Sequence, residues 1–428
     1  MTGRRNVWDS PHNVSPSTTR KRKVALRLRD PIHGFIHADP LEAALVNSRP
    51  VQRLRWIHQL GLTFLVYPGA EHSRFSHALG AMHLAGRLFD ALLEKKPELF
   101  EGRERSYFRR LVRAAALLHD VGHAPFSHTT EDRFEPLKGS QAAFDHEAMT
   151  DQLLTHTEIA DIFERRGEGL KLAEVRQLIA GKLPPERRFL VQLVSGELDV
   201  DKMDYLLRDS LFCGVRYGIY DLDRLVETVT VVQDPEDGSL ALGIESGGVH
   251  ALEALVLARY YMFTQVYFNV TVKALEHHLN AWLERQKRYW PIAPDRFLAE
   301  DDTTLLAELR RSEDEHARAV IYRSHFPLAY ETREHLSPSQ RNDVEAVLPE
   351  LHRLFPAGSI LVAPSAKDPH RLGRSRVHVA HPDGRLESME HASHFIRHLT
   401  RIERYRFYAR PEIAKDVRSF LARTLQGL

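Results

Sequence analysis

The segment that decides the fold reads His119-Asp120-Val121-Gly122-His123-Ala124-Pro125-Phe126-Ser127-His128. The adjacent His119 and Asp120 offer one imidazole nitrogen and one carboxylate, a ligand pair that suits borderline divalent ions. Consecutive residues of a helix point about 100° apart around its axis, so such a pair can bracket an ion only at a helix end or a bend. Gly122 and Pro125 favour a helix end at this place. The segment therefore predicts a metal site at the end of a helix, with two more histidines beside it.

The composition indicates a large globular protein. The chain has 428 residues, of which 43% are hydrophobic and 27% are charged, enough apolar material for a sizeable core. These proportions exclude a disordered or a collagen-like chain. The 59 basic and 58 acidic residues give a net charge of +1, which does not favour a nucleic-acid binder. Since one cysteine stands against 25 histidines, a metal site would use imidazole and carboxylate rather than thiolate.

The same sequence favours a cytoplasmic location without a membrane anchor. Cys213 cannot form an internal disulfide, which fits a reducing compartment. The first 20 residues are polar, with no apolar stretch of signal-peptide length, and no apolar run approaches the roughly 18 residues of a membrane span. Residues 1–24 contain the run Arg20-Lys21-Arg22-Lys23 and are expected to form a flexible basic tail. Such a tail can touch nucleic acid, but a solvated terminus is the simpler interpretation.

Hydrophobic periodicity predicts a mainly α fold with a β-hairpin and a small C-terminal α+β domain. Residues 25–326 are expected to form the helical core and residues 327–428 the α+β domain. Thr228–Val232 and Leu240–Ile244 flank a turn and predict the hairpin, and Val249 to Gln286 predicts one long buried helix. The other predicted elements are a helix that ends at Gly61, helices His77–Leu93, Tyr107–His119, Ala148–Phe163, Leu172–Ile179, Phe189–Arg208, His391–Thr400 and Pro411–Leu425, and strands Ser359–Ala363, Val377–Ala380 and Tyr405–Tyr408.

Two other segments carry residues of the same chemistry. In Arg74-Phe75-Ser76-His77 the histidine stands at a predicted helix start, and the arginine one turn earlier could hold a phosphate through two hydrogen bonds. In Glu197–Asp209, four aspartates surround a lysine and a tyrosine in a half-apolar helix. A solvated acidic face is the alternative interpretation, but the apolar neighbours Met203 and Leu206 argue against it.

With these residues, the chain resembles the HD-domain phosphohydrolase superfamily, whose signature is H…HD…D. The matching positions are His77, His119-Asp120 and Asp201. The chain is also similar to the deoxynucleoside triphosphate triphosphohydrolase branch of that superfamily, which includes the vertebrate enzyme with SAM and HD domains and bacterial relatives. The blocks that carry this second resemblance follow the expected order: Asp30-Pro31-Ile32-His33-Gly34, Gln52-Arg53-Leu54-Arg55, Gln59-Leu60-Gly61, Pro68-Gly69-Ala70, Arg74-Phe75, His119 to His128, His146-Glu147 and Asp199 to Asp209.

The resemblance implies a helical HD core and a catalytic role for several matched residues. One divalent metal ion, which would be Mn, Fe, Mg, Co or Zn, would be bound by His77, His119, Asp120 and Asp201. The phosphate site would be lined by His123, His146 and Glu147. His128 would be the general acid that protonates the leaving 5′ oxygen, and Glu131 would orient it. A histidine near its ordinary pKa can give such a proton at neutral pH.

The resemblance also implies contacts with a nucleotide substrate and with a regulatory nucleotide. Substrate contacts would come from Arg74 and Lys202 on the phosphate oxygens, Tyr205 under the sugar, Asp209 on the 3′ hydroxyl, and Gln59 with Leu60 at the sugar edge. A surface for a nucleotide activator would include Asn47, Gln52 and Arg55. The resemblance further implies a homo-oligomer, either a dimer or a tetramer.

The sequence departs from the family pattern in the predicted long helix. Relatives often have His-Lys at Asn269-Val270, Arg at Lys273 and Tyr at Leu275, where side chains reach the triphosphate or the base. Asn47 replaces the aspartate that reads guanine in the vertebrate enzyme, and the resemblance does not extend to a SAM domain. Three functions therefore remain open: a dNTP triphosphohydrolase, another nucleotide phosphatase or phosphodiesterase on the HD scaffold, and a nucleotide-sensing module that kept the fold.

Overall fold

A computed structural model describes residues 24–102, 104–136, 144–368, 370 and 377–427 of the protein. The predicted basic tail, residues 1–24, lies outside these residues except for Val24. The structure confirms a mainly helical protein with a β-hairpin and a C-terminal α+β region. The helices are α1 (Pro40–Val46), α2 (Arg49–Arg53), α3 (Arg74–Lys95), α4 (Glu104–Leu118), α5 (His146–His156), α6 (Glu158–Arg166), α7 (Leu172–Ile179), α8 (Arg188–Val194), α9 (Val200–Cys213), α10 (Leu222–Thr228), α11 (Val249–Met262), α12 (Val270–Arg285), α13 (Pro294–Phe297), α14 (Asp302–Arg311), α15 (Glu315–Ile321), α16 (Pro338–Leu354), α17 (Met389–Ala392), α18 (His394–His398) and α19 (Ala414–Thr424).

Three small sheets accompany the helices in the described part of the chain. Their strands are β1 (Leu26–Asp30), β2 (Gly34–Ala38), β3 (Val229–Gln233), β4 (Leu240–Glu245), β5 (Leu328–Glu331), β6 (Ile360–Lys367), β7 (His378–Ala380), β8 (Leu386–Ser388) and β9 (Ile402–Ala409). Strands β1 and β2 form a hairpin, and β5, β9 and β6 form an antiparallel sheet. The predicted hairpin β3–β4 is extended by β7 and β8, because β4 pairs with β7 in parallel. Part of the C-terminal region therefore shares a sheet with the helical core.

The main core lies around α3, which packs against α4 and α9. Small side chains allow these helices to come close, including Ala78, Ala81 and Ala85 of α3 and the stretch Ala114 to Ala116 of α4, all of them fully buried. A second, smaller core lies between α16, α19 and β9. Burial of apolar surface in these two cores supplies the main favourable contribution to folding.

Several predicted helices are divided because capping side chains start new helices inside them. In the predicted helix Phe189–Arg208, Asp199 accepts a hydrogen bond from Lys202 N at 2.8 Å and begins α9. In the predicted helix Ala148–Phe163, Thr157 caps α6. The prediction of one helix from Val249 to Gln286 was wrong as well. A π-helical turn follows α11, and Asn269 begins α12 by accepting from Thr271 N at 2.9 Å.

Other elements near the termini had no sequence prediction. The hairpin β1–β2 turns at Asp30, whose Oδ1 accepts hydrogen bonds from Ile32 N and His33 N, both at 2.9 Å. In the C-terminal region, α16, β5 and β8 were not predicted.

The predicted helix that was expected to end at Gly61 is shorter and divided. It consists of α1, then α2, which ends at Arg53, and then a 3₁₀ turn at Leu54–Trp56. None of the helices in the described ranges combines the length and apolar character that a membrane span requires.

Gly80 sets the distance between α3 and α9, so Gly80→Ala should lower the free energy of unfolding by about 2 kcal/mol or more. The added methyl would overlap the Asp204 carboxylate and the Arg208 guanidinium. Denaturant or thermal unfolding measures the effect. Gly86→Ala in the same helix is the comparison variant and should cost less, because its methyl would come no closer than 2.8 Å to another atom, the Arg113 guanidinium, whereas at Gly80 the overlap is about 1 Å deeper. Equal losses in the two variants would contradict this account.

Candidate metal centre and active site

Three predicted metal ligands come together where two helices of the core meet. His77 lies in the first turn of α3, and His119 and Asp120 follow the last residue of α4, as the segment predicted. Each of the three side chains offers one ligand atom, and these atoms lie within 4.8 Å of one another. Gly122 allows the turn after α4 to pack closely against α5, because a Cβ at this position would lie 2.2 Å from His146 O and 2.5 Å from Thr150 N.

Asp201, the fourth predicted ligand, faces the same point from the first turn of α9. Its Oδ1 lies 3.0 Å from His77 Nε2 and 3.7 Å from His119 Nε2. Asp120 Oδ1 lies 3.2 Å from His119 Nε2. The four side chains therefore converge from three helices, although they are distant in sequence.

The two histidines present the nitrogen that a metal ion requires. His77 Nδ1 donates to Asp204 Oδ2 at 2.9 Å, and His119 Nδ1 donates to Ala116 O at 2.8 Å. These bonds fix the tautomer and leave Nε2 of each ring facing the carboxylates. Among the described residues, neither buried Nε2 atom forms a hydrogen bond of good geometry, although the carboxylates of Asp201 and Asp120 lie close enough for ion pairs. The donor set of imidazole nitrogens and carboxylates therefore fits a divalent metal ion.

The charges at this point also favour a cation. Although burial raises the pKa of Asp120, the neighbouring His119 and Arg74 hold it well below its ordinary value. Burial lowers the pKa of His77, but Asp201 and Asp204 outweigh burial and raise it to about 10. The carboxylates thus draw protons onto the imidazoles, and a bound divalent ion would replace those protons.

Beneath His77 lies a buried polar network that starts from Asp204. The carboxylate of Asp204 accepts from Arg208 Nε and Nη2, both at 2.8 Å, and contacts His33 Nε2 at 2.7 Å. Arg208 Nη1 donates to Asp30 Oδ2 at 2.9 Å. Although burial raises the pKa of Asp204, Arg208 holds it well below its ordinary value. The network keeps the carboxylate ionised and His77 oriented.

A second cluster of titratable residues lies beside the metal cluster. The rings of His123 and His146 stack with centroids 4.2 Å apart, and His128 lies edge-on to His123 at 4.9 Å. Glu131 contacts both His128 Nδ1, at 2.9 Å, and His146 Nδ1. Burial lowers the pKa of His146, but Glu131 outweighs burial and raises it. Burial and the charge of Arg74 hold the pKa of His123 well below its ordinary value, so this ring is neutral.

Both clusters open into one cavity of about 200 Å³. The predicted site residues that line it are Gln59, Arg74, His119, Asp120, His123, His128, His146, Glu147, Asp201 and Tyr205. His77 lies behind this surface and is fully buried, and Glu131 supports the two histidines. Arg74 lies inside the cavity, but its guanidinium contacts Asp120 Oδ2 and Ser127 Oγ.

Other predicted residues do not reach the cavity wall. The ammonium group of Lys202 is held by Asp199 Oδ2 at 2.7 Å and by Gly196 O at 2.5 Å. Asp209 is buried and its two oxygens contact His72 Nε2 at 2.8 Å and Tyr267 Oη at 2.7 Å. Leu60 packs against the main core.

The residues of the predicted regulatory surface lie together, outside the cavity. Gln52 Oε1 accepts from Arg55 Nε at 2.9 Å, while Asn47 Nδ2 donates to Ala43 O at 2.8 Å. The guanidinium of Arg55 lies 3.6 Å from the centre of the Phe75 ring. Their contacts thus neither require nor exclude a nucleotide.

The sequence indicated some of the remaining site residues and not others. Asp204 and Arg208 share the i, i+4 spacing of a helical ion pair, a signal that the sequence carried. Nothing in the sequence identified the cavity-lining residues Ile179, Val194 and Ser195. They are ordinary core-type or small residues, and only the packing of α7 and α8 brings them to the cavity.

Comparison with known proteins agrees with this geometry. The family model of the HD domain matches residues 74–209, and that of the HD associated region matches residues 220–326. The uncharacterized protein YwfO of Bacillus subtilis is 37% identical over 262 residues, which cover 61% of this chain and 55% of that protein. Human deoxynucleoside triphosphate triphosphohydrolase SAMHD1 is 35% identical over 229 residues, which cover 48% of this chain and 36% of that protein. The chain thus spans about half or less of the length of these curated relatives.

A solved structure extends the similarity to nearly the whole chain. The crystal structure of a hypothetical protein from Aquifex aeolicus has 30% sequence identity and a TM-score of 0.77, and the similarity covers 92% of this chain and 99% of that one. Together with the two matched family regions, this likeness shows that the chain belongs to the HD-domain phosphohydrolase superfamily.

Proposed function

We propose that this protein hydrolyses a dNTP to its deoxynucleoside and tripolyphosphate, with a divalent metal ion bound by His77, His119, Asp120 and Asp201. One observation carries the proposal. Beside a single cavity, two imidazole nitrogens face two carboxylates on one side, and a histidine paired with a carboxylate lies on the other. The first arrangement can hold a cation against a phosphate, and the second can deliver a proton to a leaving oxygen.

The side chains around the cavity would divide the work of hydrolysis. A bound divalent ion supplies Lewis acidity toward the phosphoryl oxygens. His128 would give its proton to the leaving 5′ oxygen, because Glu131 holds Nδ1 and leaves the other ring nitrogen free to act. Arg74, His123 and His146 would bind the phosphate oxygens and stabilise the charge that develops on them.

The nucleoside part of the substrate would lie on the far side of the cavity. Tyr205 lies edge-on to both His77 and Tyr267, with ring centroids 6.5 and 6.4 Å away, and its position suits packing under a sugar. Gln59 lines the same wall and its Oε1 has no hydrogen-bond partner among the described residues. To accept a hydrogen bond from the 3′ hydroxyl, Asp209 would have to give up its present contact with Tyr267 or His72.

A second candidate function is phosphate removal from a smaller substrate, such as a nucleoside monophosphate, or cleavage of a phosphodiester. The observation that favours it is the small positive charge of the cavity wall. Of the described residues that line the cavity, Arg74 is the only lysine or arginine, and it already contacts Asp120. Lys202 is engaged by Asp199. A triphosphate would have to draw at least one of these cations out of its present ion pair.

The predicted oligomer, nucleotide activator and cytoplasmic location stay predictions.

Asp201→Ala should remove bound metal and hydrolytic activity together, because it deletes a carboxylate between the two imidazole nitrogens. Metal content is measured by plasma mass spectrometry after loading with Mn. The matched control is Glu147→Gln, which removes a carboxylate from the cavity wall outside the metal cluster and should keep the metal. Full metal occupancy in Asp201→Ala would contradict the ligand assignment.

Glu131→Gln should shift the basic limb of the pH–rate profile to lower pH. The Glu131 carboxylate raises the pKa of His146, so the protonated form of His146 is favoured up to a higher pH in the native protein. Without that carboxylate, the largest remaining influence on the pKa of His146 is burial, which lowers it against the smaller opposing charge of Asp120, so the proton is lost earlier as pH rises. Asp132→Asn, a change at the exposed neighbouring carboxylate, is the control and should leave the profile in place. If the basic limb of the Glu131→Gln profile lay at the same pH as that of the native protein, Glu131 would not be the group that keeps His146 protonated during turnover.

Product identity distinguishes the candidate functions. Metal-loaded protein is supplied with each dNTP, each rNTP, nucleoside monophosphates and a phosphodiester, and the products are separated chromatographically. Deoxynucleoside with tripolyphosphate is the expected result, and His119→Ala should give none. Orthophosphate from a monophosphate, or cleavage of the diester, would establish the second candidate. Nucleotide binding without any turnover would favour a nucleotide-sensing module.

A further inference from the structure

The loop that carries the second histidine cluster contains backbone conformations that its residues do not favour. Phe126 and Ser127 have φ angles of +55° and +57°. Neither residue is glycine, and two consecutive left-handed residues with a Cβ persist only where their surroundings impose them. This turn carries Ser127 Oγ, which contacts Arg74, and leads directly into the 3₁₀ turn of His128 and Glu131. The conformation therefore sets the position of the candidate general acid.

Asp302 provides the contact that imposes this turn. Its Oδ1 accepts a hydrogen bond from Phe126 N at 2.6 Å, across 176 residues of sequence. Its Oδ2 accepts from His58 N at 2.7 Å and contacts His58 Nδ1 at 2.6 Å. The Asp302 side chain is buried, so water does not compete for its oxygens. These charge-assisted hydrogen bonds are therefore strong. The carboxylate thus joins the turn to the residue next to Gln59 on the cavity wall.

Neighbouring contacts hold the same loop from the same side. The buried guanidinium of Arg53 donates from Nε to Glu300 O and from Nη1 to His123 O, both at 2.8 Å. Trp290 Nε1 donates to Thr130 O at 3.0 Å. The loop is therefore attached before the left-handed turn to Arg53, which itself contacts Glu300, within the turn to Asp302, and after it to Trp290. Of these attachments, the one from Asp302 acts on the left-handed residues themselves.

We propose that Asp302 is a positioning residue of the candidate active site, which holds Phe126 and Ser127 in the left-handed turn so that Ser127 meets Arg74 and His128 faces the cavity. Its effect on turnover rests on the proposed function, whereas its effect on the loop does not. Asp302 lies outside the matched HD domain, residues 74–209, and inside the HD associated region, residues 220–326. The proposal thus gives the second region a direct part in shaping the site.

The test compares Asp302→Ala with Asp301→Ala in the full-length, metal-loaded protein. Asp301 caps α14 by accepting from Thr304 N at 2.8 Å, so its removal weakens the same helix without touching the loop. Asp302→Asn is a third variant that keeps one oxygen for Phe126 N and guards against a failure of the alanine variant to fold. Thermal unfolding shows which variants remain folded. The three readouts are amide hydrogen exchange of peptides that cover residues 120–134, affinity for inorganic phosphate, and kcat and KM for the substrate identified above.

The expected results separate Asp302 from its neighbour. Asp302→Ala should accelerate exchange in residues 120–134, weaken phosphate binding about 10-fold, and lower kcat about 10- to 100-fold with metal content unchanged. Asp302→Asn should retain more of each property, and Asp301→Ala should match the unmodified protein in all three readouts. Such a pattern in exchange and phosphate affinity would support the proposal even if no substrate were turned over, in which case only the proposed function would fail. Unchanged exchange in both Asp302 variants, or accelerated exchange with unchanged phosphate affinity and kcat, would overturn it.

Discussion

The buried carboxylate of Asp204 is the interaction on which the candidate site depends. Its two oxygens contact Arg208, His33 and His77, and it has no exposed surface. A buried carboxylate is stable only where cations and hydrogen-bond donors compensate for lost water, and removal of one partner from such a pair typically costs about 3–5 kcal/mol. Asp204 also decides which nitrogen of His77 carries the proton. The orientation of one candidate metal ligand is therefore set by an ion pair that does not reach the cavity.

The same interaction explains why three parts of the chain must pack as they do. Asp204 and Arg208 lie one turn apart on α9, Gly80 on α3 leaves room for them, and Asp30 at the end of β1 accepts a hydrogen bond from Arg208 Nη1. A larger residue at Gly80, or a displaced hairpin, would leave an uncompensated buried charge. The packing of the core and the orientation of the ligands are thus one constraint rather than two.

The opposite side of the cavity is held by different means. The loop after α4 combines a left-handed turn with the pair of His128 and Glu131, and its backbone is fixed by Asp302, Arg53 and Trp290. These partners lie in regions that precede and follow the matched HD domain. The candidate metal ligands are therefore supported by Asp204 and Arg208 within the HD domain together with Asp30 and His33 that precede it. The loop of His128 and Glu131 is held largely by residues outside that domain.

Local sequence patterns predicted much of this arrangement. The end of α4 at His119-Asp120 followed from Gly122 and Pro125, and the hairpin β3–β4 followed from two apolar stretches on either side of a turn. Periodicity predicted the places of most helices, but it ran through the breaks at Asp199, Thr157 and Asn269. A single capping side chain can end one helix and begin the next without changing the apolar pattern.

The sequence by itself determined the residue types that can bind a metal ion and move a proton, because those types occur in short segments with distinctive spacing. The tertiary structure alone decided which of them share a cavity. It directed Lys202 toward Asp199, placed Asp209 between His72 and Tyr267, and brought Asp302 to Phe126 across 176 residues. The physical reason is that a buried charge pairs with whichever partner the folded chain places beside it, and long-range packing, not local spacing, sets that partner.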